Sequence, residues 1–402
     1  MKKQKKFTEN TLSKSIQGKK QNMLVIGDVN HTLIRQLSEE MRDEFSINID
    51  ILSLFRCYHR NQKYFDKLYS VSLPSVGEPI GRIRTKLNQI FYFKVIKDIV
   101  KNLENYDVIN IHYLNPLYRY FIKLFRDKTP KLIVTVWGSD FYRVSDKTKI
   151  KLKKVFNSCD LITFTNDSMK SDFLSYYGDY HEKVKVCRFG LKVLDVIEEV
   201  QSSNDLEELK EEFLRRYNID SKKKIIACGY NSSTGQQHEQ IIKAIQMVNN
   251  EKLKDVVFLF PMAYGDENNR LKIELLLKDC TFRYKVISDY LEDKEVAMLR
   301  IVSDIMINVQ TTDQFSGSMQ ETLFAGNVLI NGGWLPYDSF KDAGAFFLEI
   351  KELSELHRKI EECIDDLDGL KLKSKNNREV IWELSSWRKN GKEWYELYQE
   401  GV

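Results

Sequence analysis

The feature that most constrains this chain is an alternation of short, almost wholly apolar runs with longer amphipathic stretches. The runs come in two series. The first comprises 22–28 (NMLVIGD), 48–55, 106–114 (YDVINIHYL), 131–138 (KLIVTVWG), 161–166 (LITFTN) and 184–189 (VKVCRF). The second comprises 224–229 (KIIACG), 256–262 (VVFLFPM), 284–288, 304–309 (DIMINV), 327–331 (NVLIN) and 345–350 (AFFLEI). A strand wetted on one face alternates polar and apolar residues. A near-continuous apolar strand is covered on both faces, as in a parallel sheet flanked by helices. Two series predict two doubly wound α/β domains, and 402 residues suit two domains.

The expected organisation is a basic tail over 1–21, a Rossmann-like acceptor domain over 22–194 and a polar linker over 195–222. A Rossmann-like donor domain follows over 223–375, then a C-terminal helix over 376–402. Trp382, Trp387, Trp394, Tyr395 and Tyr398 make that helix aromatic and predict that it packs back toward the first domain. The six cysteines are scattered, with no CxxC pair and no Cys/His cluster of metal spacing. That pattern argues against a structural zinc or a disulfide frame and for a reducing compartment. The start, MKKQKKFTENTLSKSIQGKKQ, lacks the apolar core of a secretory signal, and no window reaches the roughly 18 apolar residues of a spanning helix. A cytoplasmic protein is expected.

Net charge is +4 but uneven. Residues 1–200 carry 35 Lys/Arg against 23 Asp/Glu, or +12; residues 201–402 carry 27 against 35, or −8. Aromatic-basic segments mark the basic half: Arg82 to Lys86, Tyr118 to Arg126 and Lys147 to Phe156. They suit an anionic membrane surface or an anionic acceptor. No nucleic-acid-binding motif accompanies the charge, and no nucleic-acid partner is expected.

In parallel α/β domains ligands sit at the carboxyl ends of the strands, so the strand-end loops are the candidate site. In the first domain these carry Gly27 and Asp28, then His112, then Trp137, Gly138 and Asp140. His112 suits a proton acceptor, an acceptor-sugar contact or a structural histidine. Asp140 suits a catalytic carboxylate or a helix cap. The second domain opens with Asn231, Ser232 and a Gly/Ser/Thr loop ending at His238, a type that holds phosphate through amides and hydroxyls. It lacks the Gly-Lys-Ser/Thr of a Walker loop. Tyr264 suits base stacking, Arg270 suits phosphate, and Tyr290 follows the next strand. In TTDQFSGSMQETLFAGNVLI, residues 311–330, Asp313 and Glu321 are separated by seven residues, with Ser316-Gly317-Ser318 at a helix start between them. A helix N-terminus suits a pyrophosphate, and the flanking acids suit the diols of a sugar (Asp313) and a ribose (Glu321).

Acid-x7-acid with a glycine loop, followed by Ala325-Gly326-x-Val328 and a strand, resembles the donor signature of GT-B glycosyltransferases, above all the retaining family 4. Trp137-Gly138-Ser139-Asp140 resembles that family's His-Gly segment, and Lys185-Val186-x-x-x-Gly190 resembles its strand into the interdomain hinge. The match in order covers 22–402. The resemblance implies two facing Rossmann-like domains, a nucleoside diphosphate sugar donor, and no metal or other cofactor. The family's pyrophosphate-clamping Arg and Lys fall near Tyr230 and Gln236, which are not basic, leaving Arg188, Arg270 and His238 as candidates. Asn231–His238 and Pro261–Asn269 also resemble the inverting 4-acetamido-fucose transferases of bacterial surface-glycan assembly, so retention and inversion both stay open. The expected function is a hexosyltransferase-type enzyme at the inner face of the membrane, acting on a lipid-linked or oligosaccharide acceptor in surface polysaccharide synthesis. A GT-B-fold nucleotide-sugar epimerase and a non-catalytic sugar-nucleotide-binding subunit are the alternatives.

Overall fold

The computed structural model describes residues 20–54, 59–70, 93–313 and 315–400. Among them, thirteen strands form two sheets in which every pairing is parallel. The first contains β1 (Asn22–Ile26), β2 (Asn48–Ser53), β3 (Leu68–Ser70), β4 (Val108–His112), β5 (Lys131–Val136), β6 (Leu161–Phe164) and β7 (Val184–Val186), in the order β3-β2-β1-β4-β5-β6-β7. The second contains β8 (Lys224–Cys228), β9 (Val256–Pro261), β10 (Tyr284–Ile287), β11 (Ile305–Asn308), β12 (Val328–Gly332) and β13 (Leu348–Ile350), in the order β10-β9-β8-β11-β12-β13. The apolar runs account for twelve strands. The remaining one, β3, is a three-residue edge strand with no fully buried residue, so it lacks the apolar signature. The run 106–114 is thus the fourth strand.

Strand order reverses between β1 and β4 and between β8 and β11. At such a switch point the connections leave to opposite faces and open a crevice at the carboxyl ends. The loops after β1 and β4 carry Gly27 and Tyr113; those after β8 and β11 carry Tyr230 and Asp313.

The stretch 195–222 is packed structure. Helices Lys192–Gln201 and Leu206–Arg216 bury Val200, Phe213 and Leu214 with Val257 and Leu259 of β9. The C-terminal stretch is two helices, Asn377–Ser385 and Trp387–Gln399, broken where Ser386 turns extended (ψ 147°). Ile381 of the first joins the second sheet's core, beside Met319 and Leu323. The second helix crosses to the first sheet. Trp394 and Tyr398 are fully buried there, Asn110 Nδ2 donates to Tyr398 Oη at 3.1 Å, and Trp394 Nε1 donates to the Arg188 carbonyl at 2.9 Å. Gly190 makes room for this return, since a Cβ there would lie 2.4 Å from the Trp387 ring.

The tail 1–19 and the Arg82–Lys86 segment lie outside the described residues. Among the described residues no helix is long and apolar enough to cross a membrane.

Candidate active site

On the second-sheet side, β11 ends at Asn308 and the chain reaches helix Gly317–Phe324, whose N-cap is Ser316. Ser316 Oγ accepts from the Met319 N–H at 3.2 Å, satisfying one of the first-turn donors. Asp313 lies on the approach. Its Oδ2 accepts from Gln310 Nε2 at 2.7 Å and from the Tyr337 hydroxyl. Gln310 is a hub. Its Oε1 accepts from Tyr230 Oη at 3.2 Å and Gln236 Nε2 at 3.1 Å, and its carbonyl accepts from Trp334 Nε1 at 2.8 Å. The two neutral residues at the expected clamp positions thus belong to an amide and hydroxyl network ending on Asp313. Burial foremost, then the Asp313 charge, push the Tyr230 hydroxyl up to about 12, so it stays protonated at neutral pH.

Glu321 is 8% exposed, and its Oε2 accepts from Arg300 Nε at 2.9 Å. Arg300 Nη2 also donates to Ser318 Oγ at 2.7 Å. The loop after β8 is tied to the loop after β9: the Ser232 N–H donates to the Tyr264 carbonyl at 2.7 Å, and Asn269 Nδ2 donates to the Ser232 carbonyl at 2.9 Å. Asn231 Oδ1 accepts from the Ser233 N–H and shapes the turn. Tyr264 and Tyr290 stand out at the ends of β9 and β10, with more than half of each exposed. A cavity of about 460 Å³ opens among these loops, lined by Thr234, His238, Asp266, Asn269, Lys272 and Thr311.

The three cation candidates separate clearly. Arg270 is engaged by Glu274 at 2.8 Å and Glu267 at 3.3 Å. His238 is buried, and burial lowers its pKa to about 4, so it is neutral at pH 7. It suits hydrogen bonding rather than charge neutralisation. Arg188 remains. It follows β7 of the first sheet, yet its guanidinium carbon lies 5.0 Å from the ring centre of Phe315 on the second sheet's loop. Its Nε has no protein partner.

On the first-sheet side, Gly27 gives close approach: a Cβ would lie 2.7 Å from Ile34 Cδ1 and 3.4 Å from His112 Cβ. Asp28 Oδ1 accepts from the Asn30 N–H at 2.9 Å. His112 is fully buried among Trp137, Phe189 and Trp394, with neither ring nitrogen bonded, and burial lowers its pKa to about 3. These surroundings fit a packing residue and give no support to a proton acceptor, which must touch substrate. Asp140 is 4% exposed and accepts from the N–H groups of Leu114 (2.7 Å), Trp137 (2.9 Å) and Gly138 (2.9 Å). It ties two strand-end loops together, a structural role different from the helix cap, since helix Ser139–Tyr142 has Gly138 as its N-cap with no side-chain cap bond. Gly138 needs its missing side chain, since its φ is +113°. Trp137 packs edge-on against His31, ring centres 4.5 Å apart.

Known proteins share the fold. Residues 23–166 match the Glycosyl transferase 4-like family model. An uncharacterized glycosyltransferase of Methanocaldococcus jannaschii is 24% identical over 376 residues, 89% of each chain. A glycosyltransferase from Rickettsia africae superposes with a TM-score of 0.73 at 15% identity, covering 95% of this chain and 98% of that one. The fold is GT-B. Sucrose-phosphate synthase from Thermosynechococcus elongatus (TM-score 0.69, 14% identity, 95% and 99% covered) shares it. So does Anabaena HepE in complex with UDP-glucose (TM-score 0.68, 11% identity, 94% and 99% covered). The family match and the M. jannaschii relative support glycosyltransferase activity.

Several residues that surround the candidate site escaped the sequence reading: Arg300, Gln310, Phe315, Trp334 and Tyr337. One signal was present. Arg300 is a lone arginine inside the apolar run Ala297-Met298-Leu299-Arg300-Ile301-Val302. A cation in such a run is either a surface residue or a buried one with a partner. Among the described residues no group of His, Cys, Asp and Glu is arranged to hold a metal ion.

Proposed function

We propose that the protein transfers a sugar from a nucleoside diphosphate sugar to a lipid-linked glycan acceptor in bacterial surface polysaccharide synthesis, working at the inner face of the cell membrane. The observation that carries this reading is the loop and helix from Asp313 to Glu321, flanked by acids and met from the other sheet by Arg188. The diphosphate lies at the Ser316–Ser318 helix start, where first-turn N–H groups and the helix dipole favour negative charge. Tyr264 and Tyr290 offer faces for the base. Asp313, oriented by Gln310 and Tyr337, holds the sugar. When the bond between the anomeric carbon and the diphosphate oxygen breaks, the departing charge is stabilised by the helix amides and Arg188. The acceptor hydroxyl forms the new glycosidic bond and gives up its proton to the departing diphosphate or to water. The UDP-glucose complex of the similar Anabaena fold supports a nucleotide-sugar donor.

The basic first half supports an anionic surface as the place of work. Tyr120 and Tyr176 are exposed beside Arg119 and Lys149. The neutral pair Tyr230 and Gln236 favours a second reading, a subunit that binds sugar nucleotides without turning them over. A thermal-shift screen of nucleotide sugars, followed by turnover with lipid-linked acceptors, decides. Stabilisation with product formation supports the transferase. Stabilisation without product on any acceptor supports the binding subunit. No response to any nucleotide sugar sinks both.

A further inference from the structure

Tryptophan is bulky and mostly apolar, and folding usually packs it away. Four of the five tryptophans follow that rule: Trp387 and Trp394 are buried, and Trp137 and Trp382 pack partly buried against the cores. Trp334 is 39% exposed. It lies in the loop that follows β12, yet it is held in place. Its Nε1 donates to the Gln310 carbonyl at 2.8 Å. Its six-membered ring comes down on Gly332, where an added Cβ would lie 2.5 Å from Cζ2 and 2.6 Å from Cε2. The indole N–H is satisfied within the protein, so what remains open is apolar ring surface. A ring fixed by the chain at two points loses little further freedom when a ligand covers it.

Its neighbours define what can lie there. Gln310, which receives the indole N–H, also donates through Nε2 to Asp313 Oδ2 at 2.7 Å. Tyr337, three residues beyond Trp334, donates to the same oxygen. The loop after β12 therefore supports Asp313 as well as the indole. A carboxylate accepts from hydroxyls, and the negative face of an aromatic ring attracts the weakly positive C–H hydrogens of a sugar ring. A ligand with a hydroxyl-rich edge and a C–H face is a pyranose. The exposed Tyr264 and Tyr290 stand at the ends of β9 and β10, whereas Trp334 follows β12, on the far side of β8 and β11. Along the strand ends the order is the two tyrosines, the proposed diphosphate position after β11, then Trp334. That order matches base, diphosphate and sugar in a nucleotide sugar.

We propose that Trp334 is a donor-binding residue whose open face stacks on the C–H face of the transferred pyranose, while Asp313 accepts from that sugar's hydroxyls. This rests on the nucleotide-sugar reading and deepens it. It names the residue that makes the protein prefer a nucleotide sugar to the bare nucleoside diphosphate.

The test has two arms, both on the full chain. In titration calorimetry, UDP-glucose, UDP-N-acetylglucosamine and GDP-mannose are each compared with the matching nucleoside diphosphate. For whichever nucleotide sugar binds, Trp334→Ala, with folding verified by thermal melting, should lower its affinity by roughly three- to tenfold and leave the diphosphate within about twofold. Equal losses for both ligands would mark a loop-anchoring residue and overturn the proposal, as would no loss for the nucleotide sugar. The second arm needs no variant. Trp334 is the tryptophan most open to a collisional quencher such as acrylamide. Bound nucleotide sugar should therefore reduce quenching of tryptophan fluorescence, and nucleoside diphosphate should not. Protection by both alike, or by neither, overturns the assignment. Protection by methyl α-glucopyranoside alone would put an acceptor sugar on the indole and overturn the donor assignment too. If no nucleotide and no nucleotide sugar binds, the nucleotide-donor reading falls, and this inference with it.

Discussion

Arg188 and Phe315 meet across the two sheets, the guanidinium carbon 5.0 Å from the ring centre. Arg188 follows the last strand of the first sheet, and Phe315 lies between Asp313 and the cap residue Ser316. A cation from one domain therefore rests on the donor-side loop of the other. The proposed phosphate role of Arg188 rests on this contact.

Arg188→Ala should weaken nucleoside diphosphate binding by roughly ten- to hundredfold, the loss of a charge-assisted hydrogen bond of about 1.5–3 kcal/mol. Affinity for the bare nucleoside should hardly change. Arg270→Ala should leave both near wild type, because its guanidinium is engaged by Glu267 and Glu274. Titration calorimetry with the two ligands reads the difference, and equal losses for Arg188→Ala would remove its phosphate role.

Asp313→Asn should reduce turnover more than nucleoside diphosphate affinity, since the free diphosphate lacks the sugar that Asp313 is proposed to hold. Tyr337→Phe removes one of the donors to Asp313 and should act in the same direction, but less. Steady-state kinetics beside product binding separates the two effects. Parallel losses would move Asp313 to the nucleotide or to loop support.

Glu321→Gln is a harsher change than its shape suggests. It leaves the Arg300 charge buried without its counter-ion, with side-chain exposures of 5% and 10% for the pair. Breaking such a pair from one side costs about 3–5 kcal/mol. We expect a marked drop in thermal stability together with weaker nucleotide binding. A replacement that binds poorly yet melts like wild type would show that the pair contributes little to folding.

Glu40 links stability to pH. It is half-buried on helix Thr32–Asp43, where its Oε1 would lie 2.6 Å from a Cβ at Gly391 of the last helix. Burial first, then Glu44, Asp195, Asp43 and Glu39, push its carboxyl from 4.5 up to about 7. Between those values the folded chain keeps a proton that the unfolded chain has lost, so stability falls as pH rises through that window and then levels. Glu40→Gln should therefore stabilise the protein at pH 8, by about 1 kcal/mol after allowance for solvent screening, and give no gain at pH 4. Urea denaturation at the two pH values checks this.

Flotation with liposomes tests the basic half. Recovery should be greater on anionic than on neutral vesicles and should fall with salt. Equal, salt-independent recovery would remove the electrostatic surface.

The sequence by itself determined the architecture. Twelve of the thirteen strands are legible as largely apolar runs, most clearly where the strand is buried along its whole length, as β5 and β9 are. The exception, β3, is the three-residue stretch Leu68–Ser70, which lies outside those runs. The loop from Asp313 to Ser318 was equally legible, because a cap residue and a small-residue turn are local features. What only the tertiary structure decided is which groups meet. Glu321 read as an acid suited to a ribose, and the fold also engages it with Arg300, 21 residues away. His112 read as a candidate base but is enclosed by Trp394 from the far end of the chain. Tyr398 reaches Asn110 across 288 residues because Ser386 breaks the final helix and sends its second half back to the first sheet. Strand and turn preferences act over a few residues and leave a mark in composition. The pairing of a buried charge depends on chain segments that approach only after folding, so no local pattern records it.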